Sequence, residues 1–384
     1  GAKYFGLIRF FVGIFLFGIQ TYFLSKVFSY LIRITIFSFD PTILEQQIFL
    51  TFFLGMNLIE WVAIITAIVL QGLLFSAGMS FNKKIIIFSA TAVYTGIVLF
   101  FLSVLLTDVK FTSQAFFNIF KFENLIDKNN FGPLITVTST IFAYFSFVIL
   151  SFGDFSRYVK DDKELKKGNL SLMLNLILFT FFALFIVSGM DAFFKEDSEN
   201  LNRILTNPND IIGKLDNLLI IVLALIFIVI SSASTNLIVN FIPSQYTLIN
   251  FLPFSLSIKS AGLIISIFGF FIGIFWLTYF SQVGALSFID TFACFLGPLF
   301  GVMVTDFYFI QKGKLNHKDI YSLENNGVYN YSGGWHLKAV YSVLLGLIFS
   351  ASTIWNSNLM FLQSFSWIIG AFITALTYYL LAKE

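Results

Sequence analysis

The sequence predicts an all-α membrane protein, and three observations carry that prediction. Hydrophobic residues fill 58% of the 384 positions, charged residues only 11%, and the mean hydropathy is +0.87; soluble chains carry near one-quarter charged residues. Apolar runs recur at the length a bilayer needs, roughly 20 residues for a core of about 30 Å. Those runs, such as "LLIIVLALIFIVI", are apolar on every face, whereas barrel strands would alternate apolar and polar positions. Only helices satisfy their own backbone in such a setting.

Ten spans are expected, near 5–32, 57–80, 85–106, 133–153, 169–190, 217–241, 260–280, 286–310, 338–355 and 359–382. The polar stretches between them are too short for a soluble domain, so residues 1–384 form one multi-pass unit. Lys83, Lys84, Arg157, Lys160, Lys163, Lys166, Lys167, Lys259, Lys312, Lys314, Lys318 and Lys383 collect on one side of this arrangement. Short basic loops stay in the cytoplasm, which places the C-terminus there and the chain in the cell membrane. The net charge of +2 forms no single patch and gives no nucleic-acid surface. One cysteine, Cys294, excludes a disulfide framework. His317 and His336 share one polar loop, so no intramembrane pair holds a haem or metal. No triad or reactive thiol suggests an enzyme.

Polar residues inside the apolar runs are the candidates for function. In the first span "FLFGIQTYF" sets Gln20 one turn from Leu16; an amide both donates and accepts, as a heterocyclic amide substrate requires, and equally serves a bond between packed helices. In the sixth span Ser231, Ser234 and Thr235 stand at i, i+3 and i+4 and share one face. Three small oxygens there suit a sodium ion, and the same spacing suits close helix approach with hydroxyls bonded back to the backbone. Pro243 should kink or end that helix and free Asn240 towards a ligand. "SFGDFSRY" closes the fourth span with Asp154 and Arg157, either a latch or interfacial charges. Glu60, Asp290 and Arg9 read as interfacial, with Arg9 snorkelling towards the cytoplasm.

Four segments in order resemble the nucleobase:cation symporter family of cytosine, purine, uracil, hydantoin and allantoin permeases. They are "GAKYFGLIRFFVGIFLFGIQTYF", "SFGDFSRY", "SASTNLIVNFIPSQYTLINFLP", and "GPLFGVMVTDFYFIQKGKLNHKDIY" with "GVYNYSGGW". The resemblance implies a leucine-transporter-like inverted-repeat fold with ten transmembrane helices present, the family's third to twelfth, and therefore an N-terminally incomplete domain. In such folds substrate and ion bind near the midplane at broken helices. It implies that Gln20 and Asn240 bind substrate, and that the Ser231 carbonyl with the Ser234 and Thr235 hydroxyls binds a coupling sodium ion, no other cofactor being expected. Phe145 stands where the family stacks a tryptophan on the substrate ring, and Leu16 replaces a second one. Asp154 and Arg157 then act as a gate. The expected function is a monomeric symporter importing a small nucleobase-like compound (uracil, allantoin, hydantoin or a related base) with a cation by alternating access. A transport-inactive scaffold or sensor that kept the fold is the other expectation.

Overall fold

The computed structural model describes residues 2–107, 109–121, 128–197, 218–276, 279, 285–320 and 327–383. Thirteen α-helices of five or more residues organise the described residues: α1 (Ala2–Phe39), α2 (Leu58–Phe75), α3 (Met79–Thr107), α4 (Val109–Ile119), α5 (Lys128–Leu150), α6 (Phe152–Ser156), α7 (Asp162–Asp197), α8 (Leu218–Thr235), α9 (Ile242–Phe251), α10 (Ile258–Phe275), α11 (Ala285–Val304), α12 (Leu337–Trp355) and α13 (Ser366–Lys383). Ten helical stretches among the described residues are long and apolar enough to cross a membrane, and each overlaps one of the ten expected spans. The first runs further than expected, to Phe39, and the sixth runs on from Leu218 to Phe251.

The sixth span departs from expectation at Pro243. The helix does not end there; α8 passes through a π-helical turn, Asn236–Phe241, into α9, with Pro243 in the first turn of α9. The reason is local. Proline has no N–H for the ladder and crowds the preceding turn, and the wider turn absorbs this by pairing the Ile242 N–H with the Leu237 carbonyl, five residues back. Ser244 Oγ then donates to the Asn240 carbonyl at 2.7 Å and Thr247 Oγ1 to that of Pro243 at 2.8 Å. Both hydroxyls bond back to the carbonyl one turn earlier, so their own polar groups are paired within the segment.

Helix α1 is the hub. Its Phe10, Ile14 and Phe17 pack with Ile68 and Phe75 of α2, Leu237 and Phe241 of the π-turn, Ile242 and Leu248 of α9, and Ala261 and Ile265 of α10. Helices α1 and α10 touch at backbone range, since a Cβ on Gly18 would lie 2.8 Å from the Gly269 carbonyl. Small residues let apolar helices gain dispersion contacts where lipid supplies no hydrophobic drive. A second group, α11, α12 and α13 with α5, packs beside this hub, and a phenylalanine cluster of Phe101, Phe116, Phe181 and Phe185 joins α3, α4 and α7.

Candidate functional site

The π-turn sets two asparagines, Asn236 and Asn240, against the middle of α1. Asn240 is 1% exposed, and its amide donates to Gln20 Oε1 at 2.8 Å and to Asn236 Oδ1 at 2.9 Å. Gln20 Nε2 reaches the Ser232 carbonyl at 3.2 Å. The two amides expected to meet a substrate are thus brought together across 220 residues of sequence. Asn240 Oδ1 is buried without a hydrogen-bond partner. An acceptor left bare in the interior costs on the order of 1–3 kcal/mol.

Behind this pair is a second layer that the sequence reading missed. Asn236 Nδ2 donates to Gln71 Oε1 at 2.8 Å, and lies 3.1 Å from Thr21 Oγ1 and 3.2 Å from the Phe17 carbonyl. Gln71 Nε2 in turn reaches Thr21 Oγ1 at 3.1 Å and the Ala67 carbonyl at 3.2 Å. This knot ties α1, α2 and the π-turn. Two signals for it stood in the sequence: Asn236 is one turn before Asn240, and Gln71 is a lone amide in an apolar helix, like Gln20.

The three cation candidates sit half-buried in the last turn of α8. Ser234 Oγ donates to the Ser231 carbonyl at 3.0 Å, so two of the three oxygens are joined to each other. The carbonyl accepts this hydroxyl besides its place in the helical ladder, and the hydroxyl keeps both of its lone pairs. Neutral hydroxyl and carbonyl oxygens are the donor chemistry a hard monovalent cation takes, and the set therefore fits sodium.

Phe145 is half-buried, and its described ring contact is edge-on to neighbouring Tyr144. Phe147, two positions on, is 1% exposed and packs with Val12, Leu296, Leu16 and Val239. Leu16 is accordingly part of a packed apolar cluster, alongside the ring that the structure seats against α1.

Asp154 and Arg157 form a latch with a third member, Arg9. The Asp154 carboxylate meets Arg157 Nη2 at 2.7 Å and Arg9 Nη2 at 3.1 Å. Arg9 also donates to the Leu150 carbonyl at 2.9 Å and, through Nη2, to Thr247 Oγ1 at 2.6 Å. The Arg157 guanidinium lies 4.5 Å from the Tyr246 ring centre, and Tyr246 is hydrogen-bonded to Tyr158. Arg9 therefore does not snorkel: three partners on α5, α6 and α9 repay its removal from water, where a free guanidinium would have stretched to the interface. Burial pushes the Asp154 carboxyl above its usual range, while Arg9 and Arg157 pull it back down.

Two other expected interfacial acids are also engaged. Glu60 accepts from Lys26 Nζ at 2.6 Å and closes a capping box with Asn57 at the start of α2. Asp290 is 4% exposed, with Gln363 Nε2 at 3.2 Å and Thr140 Oγ1 at 3.4 Å. It sits between α11, α5 and the turn before α13 because polar neighbours there supply donors that headgroup water would otherwise give.

The family model for permeases for cytosine/purines, uracil, thiamine and allantoin matches residues 1–376. The chain belongs to this permease family. Within it, the chain is 28% identical to the allantoin permease of Bacillus subtilis over 254 residues, 66% of this chain and 50% of that one. It is 27% identical to the purine-uracil permease NCS1 of Arabidopsis thaliana over 218 residues, 57% of this chain and 35% of the plant protein. The chain thus matches half or less of the length of these relatives. Among solved structures it resembles Mhp1, a nucleobase-cation-symport-1 family transporter, in a closed conformation with bromovinylhydantoin bound: TM-score 0.68 at 16% identity, covering 100% of this chain and 75% of Mhp1. An inward-facing conformation of Mhp1 gives a TM-score of 0.64 at 18% identity, covering 98% of this chain and 73% of that one. The architecture is the leucine-transporter-like one expected from the sequence.

Proposed function

We propose that this permease is a secondary active symporter for a small nucleobase-like cyclic amide, of the uracil, allantoin or hydantoin kind, carried inward with a cation. The observation that carries this reading is the Gln20–Asn240 pair with the unpaired Asn240 Oδ1. A cyclic amide or ureide presents an N–H beside a C=O. Its N–H would satisfy Asn240 Oδ1, and its carbonyl would take an amide donor of Gln20 or Asn240. Orphaned polar groups of this kind reject ligands that cannot pair with them far better than apolar pockets do. Phe145, half-buried on α5, would supply the aromatic face, and the sodium ion would be held by the Ser231 carbonyl with Ser234 and Thr235.

Coupling follows from proximity. Ser232, whose carbonyl accepts from Gln20, lies between Ser231 and Ser234 in the same helical turn. An ion that draws the Ser231 carbonyl and Ser234 hydroxyl towards itself re-aims the turn holding Gln20, and it shifts the transport equilibrium by its differential affinity for the two states. The Arg9–Asp154–Arg157 latch closes the basic, cytoplasmic end of the path, with the C-terminus on that side of the cell membrane. One copy of the chain contains all these groups.

The test is uptake of radiolabelled uracil, allantoin and hydantoin into liposomes holding the purified protein, with and without an inward sodium gradient. At least one compound should accumulate, and Asn240→Ala should lower its accumulation by about tenfold or more with the protein still inserted. No accumulation of any of the three, with correct insertion, overturns the transport reading in favour of a scaffold or sensor.

A further inference from the structure

Helices α2 and α10 cross antiparallel, and their crossing leaves a long apolar groove on the outside of the bundle. The crossing is tight: a Cβ on Gly72 would lie 2.8 Å from Ser266 Oγ, and one turn away a Cβ on Gly262 would overlap Ser76 Oγ. Ser266 donates to the Gly262 carbonyl at 2.9 Å, so its hydroxyl is already used within its own helix. Above this crossing lies a groove of about 960 Å³ whose walls include Ile68, Leu73, Leu263, Ile267 and Phe270. That is the upper end of the roughly 300–1,000 Å³ typical of sites for small organic molecules, yet the groove is long, open along its length and almost wholly aliphatic or aromatic. Leu73 and Leu263 are 70% and 63% exposed.

One end of the groove is different in kind. Lys259, in the first turn of α10, lines it there together with Ser76 at the end of α2. Lys83 and Lys84 follow in the first turns of α3, which begins at Met79 immediately beyond that end of α2. An apolar trough ending in a cationic, hydroxyl-bearing mouth at the basic membrane face has the polarity of an anionic phospholipid: acyl chain along the helices, phosphate at the lysines. A transmembrane helix of a second copy would match the trough and leave the cationic mouth unmatched.

We propose that the α2–α10 groove is a binding site for one anionic phospholipid of the lysine-rich leaflet, with Lys259 as the principal headgroup contact. The site is distinct from the substrate path, because its lining residues lie on α2 and α10, with Leu73 and Leu263 exposed on the outside, while Gln20 and Asn240 lie on α1 and the π-turn. It requires no transport activity to be tested.

The test is native mass spectrometry of the purified protein with dioleoyl phosphatidylglycerol or dioleoyl phosphatidylcholine added, two lipids with the same chains. Phosphatidylglycerol should be retained in preference, as a single bound molecule. Lys259→Gln should reduce that preference about fivefold, the equivalent of the roughly 1 kcal/mol that one basic side chain contributes at an anionic surface. Ile267→Trp, which fills the trough, should cut retention of both lipids. Lys259 is exposed, so its replacement leaves the packed interior untouched, and unchanged circular dichroism and elution confirm folding for both variants. Equal retention of the two lipids by the unaltered protein overturns the proposal. So does a preference that survives Lys259→Gln, or a dimer whose mass signal is lost with Ile267→Trp, which would assign the groove to a second copy.

Discussion

At the scale of single residues, the site shows how far side-chain type can be read without contacts. Gln20 and Asn240 were legible because an amide in an apolar helix must find a partner, and each is the other's. Asn236 and Gln71 follow the same rule but were hidden by it, since nothing in the sequence says which amides meet a ligand and which meet each other. Position along the helix decides: Asn236 is buried against Phe17 and Thr21 and has its donors filled, while Asn240 keeps an oxygen bare. Phe145 and Phe147 make the same distinction for aromatic rings, and it can be measured. Phe147→Ala should destabilise the protein in detergent more than Phe145→Ala, because Phe147 is packed into the α1 cluster. Of the usual 3–5 kcal/mol Phe→Ala loss only the cavity part, about 1–3 kcal/mol, should remain, lipid being as apolar as the core. Phe145→Ala should instead weaken substrate binding by about 1–3 kcal/mol, the range for stacking a base on a ring, with little change in melting temperature. Thermal melts and ligand titration on the two variants separate the roles, and the reverse pattern would give the substrate wall to Phe147.

At the scale of elements, the ten spans were readable because length and uniform hydropathy are dictated by the bilayer. What happens within a span was not. Pro243 signals a lost N–H, and the sequence predicts a kink or an end there; whether a helix ends or widens depends on whether the turn before the proline can re-pair its backbone groups. Here the chain widens into the π-turn, in which the Ile242 N–H reaches the Leu237 carbonyl, and so α8 and α9 stay continuous and Asn236 and Asn240 share one turn. The last turn of α8 carries the next prediction. Replacing Ser234 and Thr235 together by alanine keeps helix propensity and the close approach that packing needs, and removes two hydroxyl oxygens. Sodium stimulation of uptake should fall about tenfold or more while membrane insertion stays the same. Unchanged sodium dependence would leave the Ser234–Ser231 bond as a purely structural back-bond.

The start of α12, where it meets the last turns of α13, shows an element-level effect of pH. His336 Nε2 lies 2.8 Å from the Tyr378 hydroxyl, which itself donates to Asp306 Oδ1 at 2.6 Å, and the His336 ring stacks on Tyr331 at 3.9 Å. Since the Tyr378 hydrogen goes to Asp306, the imidazole donates its N–H to the phenol oxygen. Burial pushes the His336 pKa below the ordinary value near 6.5, Asp306 opposing and Lys338 adding to the shift. The folded state therefore prefers the neutral ring. Its contribution is present above about pH 6.5 and is lost as pH falls through the lowered folded value. Melting temperature measured from pH 8 to pH 5 should fall on the acid side, and His336→Gln should flatten that part of the slope; parallel slopes in the two proteins would remove His336 from the explanation.

At the scale of the whole molecule, the hub and its neighbours are held at one end by charge. Arg9 on α1, Asp154 on α6 and Thr247 on α9 converge there, and Arg157 joins them through Asp154 and Tyr246. Composition placed Arg9 at an interface because a lone guanidinium in an apolar helix usually reaches for water. Only the fold shows that a carbonyl and a carboxylate from residues 150–154 and a hydroxyl from Thr247 arrive at the same point. Any motion that separates α1 from α6 must break the Arg9–Asp154 pair, and leaving one buried charge without its partner is costly. Arg157 remains to hold Asp154, so the loss is partial. Arg9→Gln should therefore favour an open end without unfolding the protein. Ser244 reports on this directly: it is fully buried, one helical turn from Thr247, against Gly13 of α1. With Cys294→Ala removing the native thiol, Ser244→Cys should react slowly with a maleimide in the otherwise unaltered protein. Adding Arg9→Gln should raise the labelling rate about tenfold, equivalent to roughly 1.4 kcal/mol of latch stability, and Arg157→Gln should raise it less, because that side chain touches neither α1 nor Thr247. Labelling that is equally slow in all three would mean that packing around Phe10 and Leu248, rather than the charge cluster, keeps this end shut.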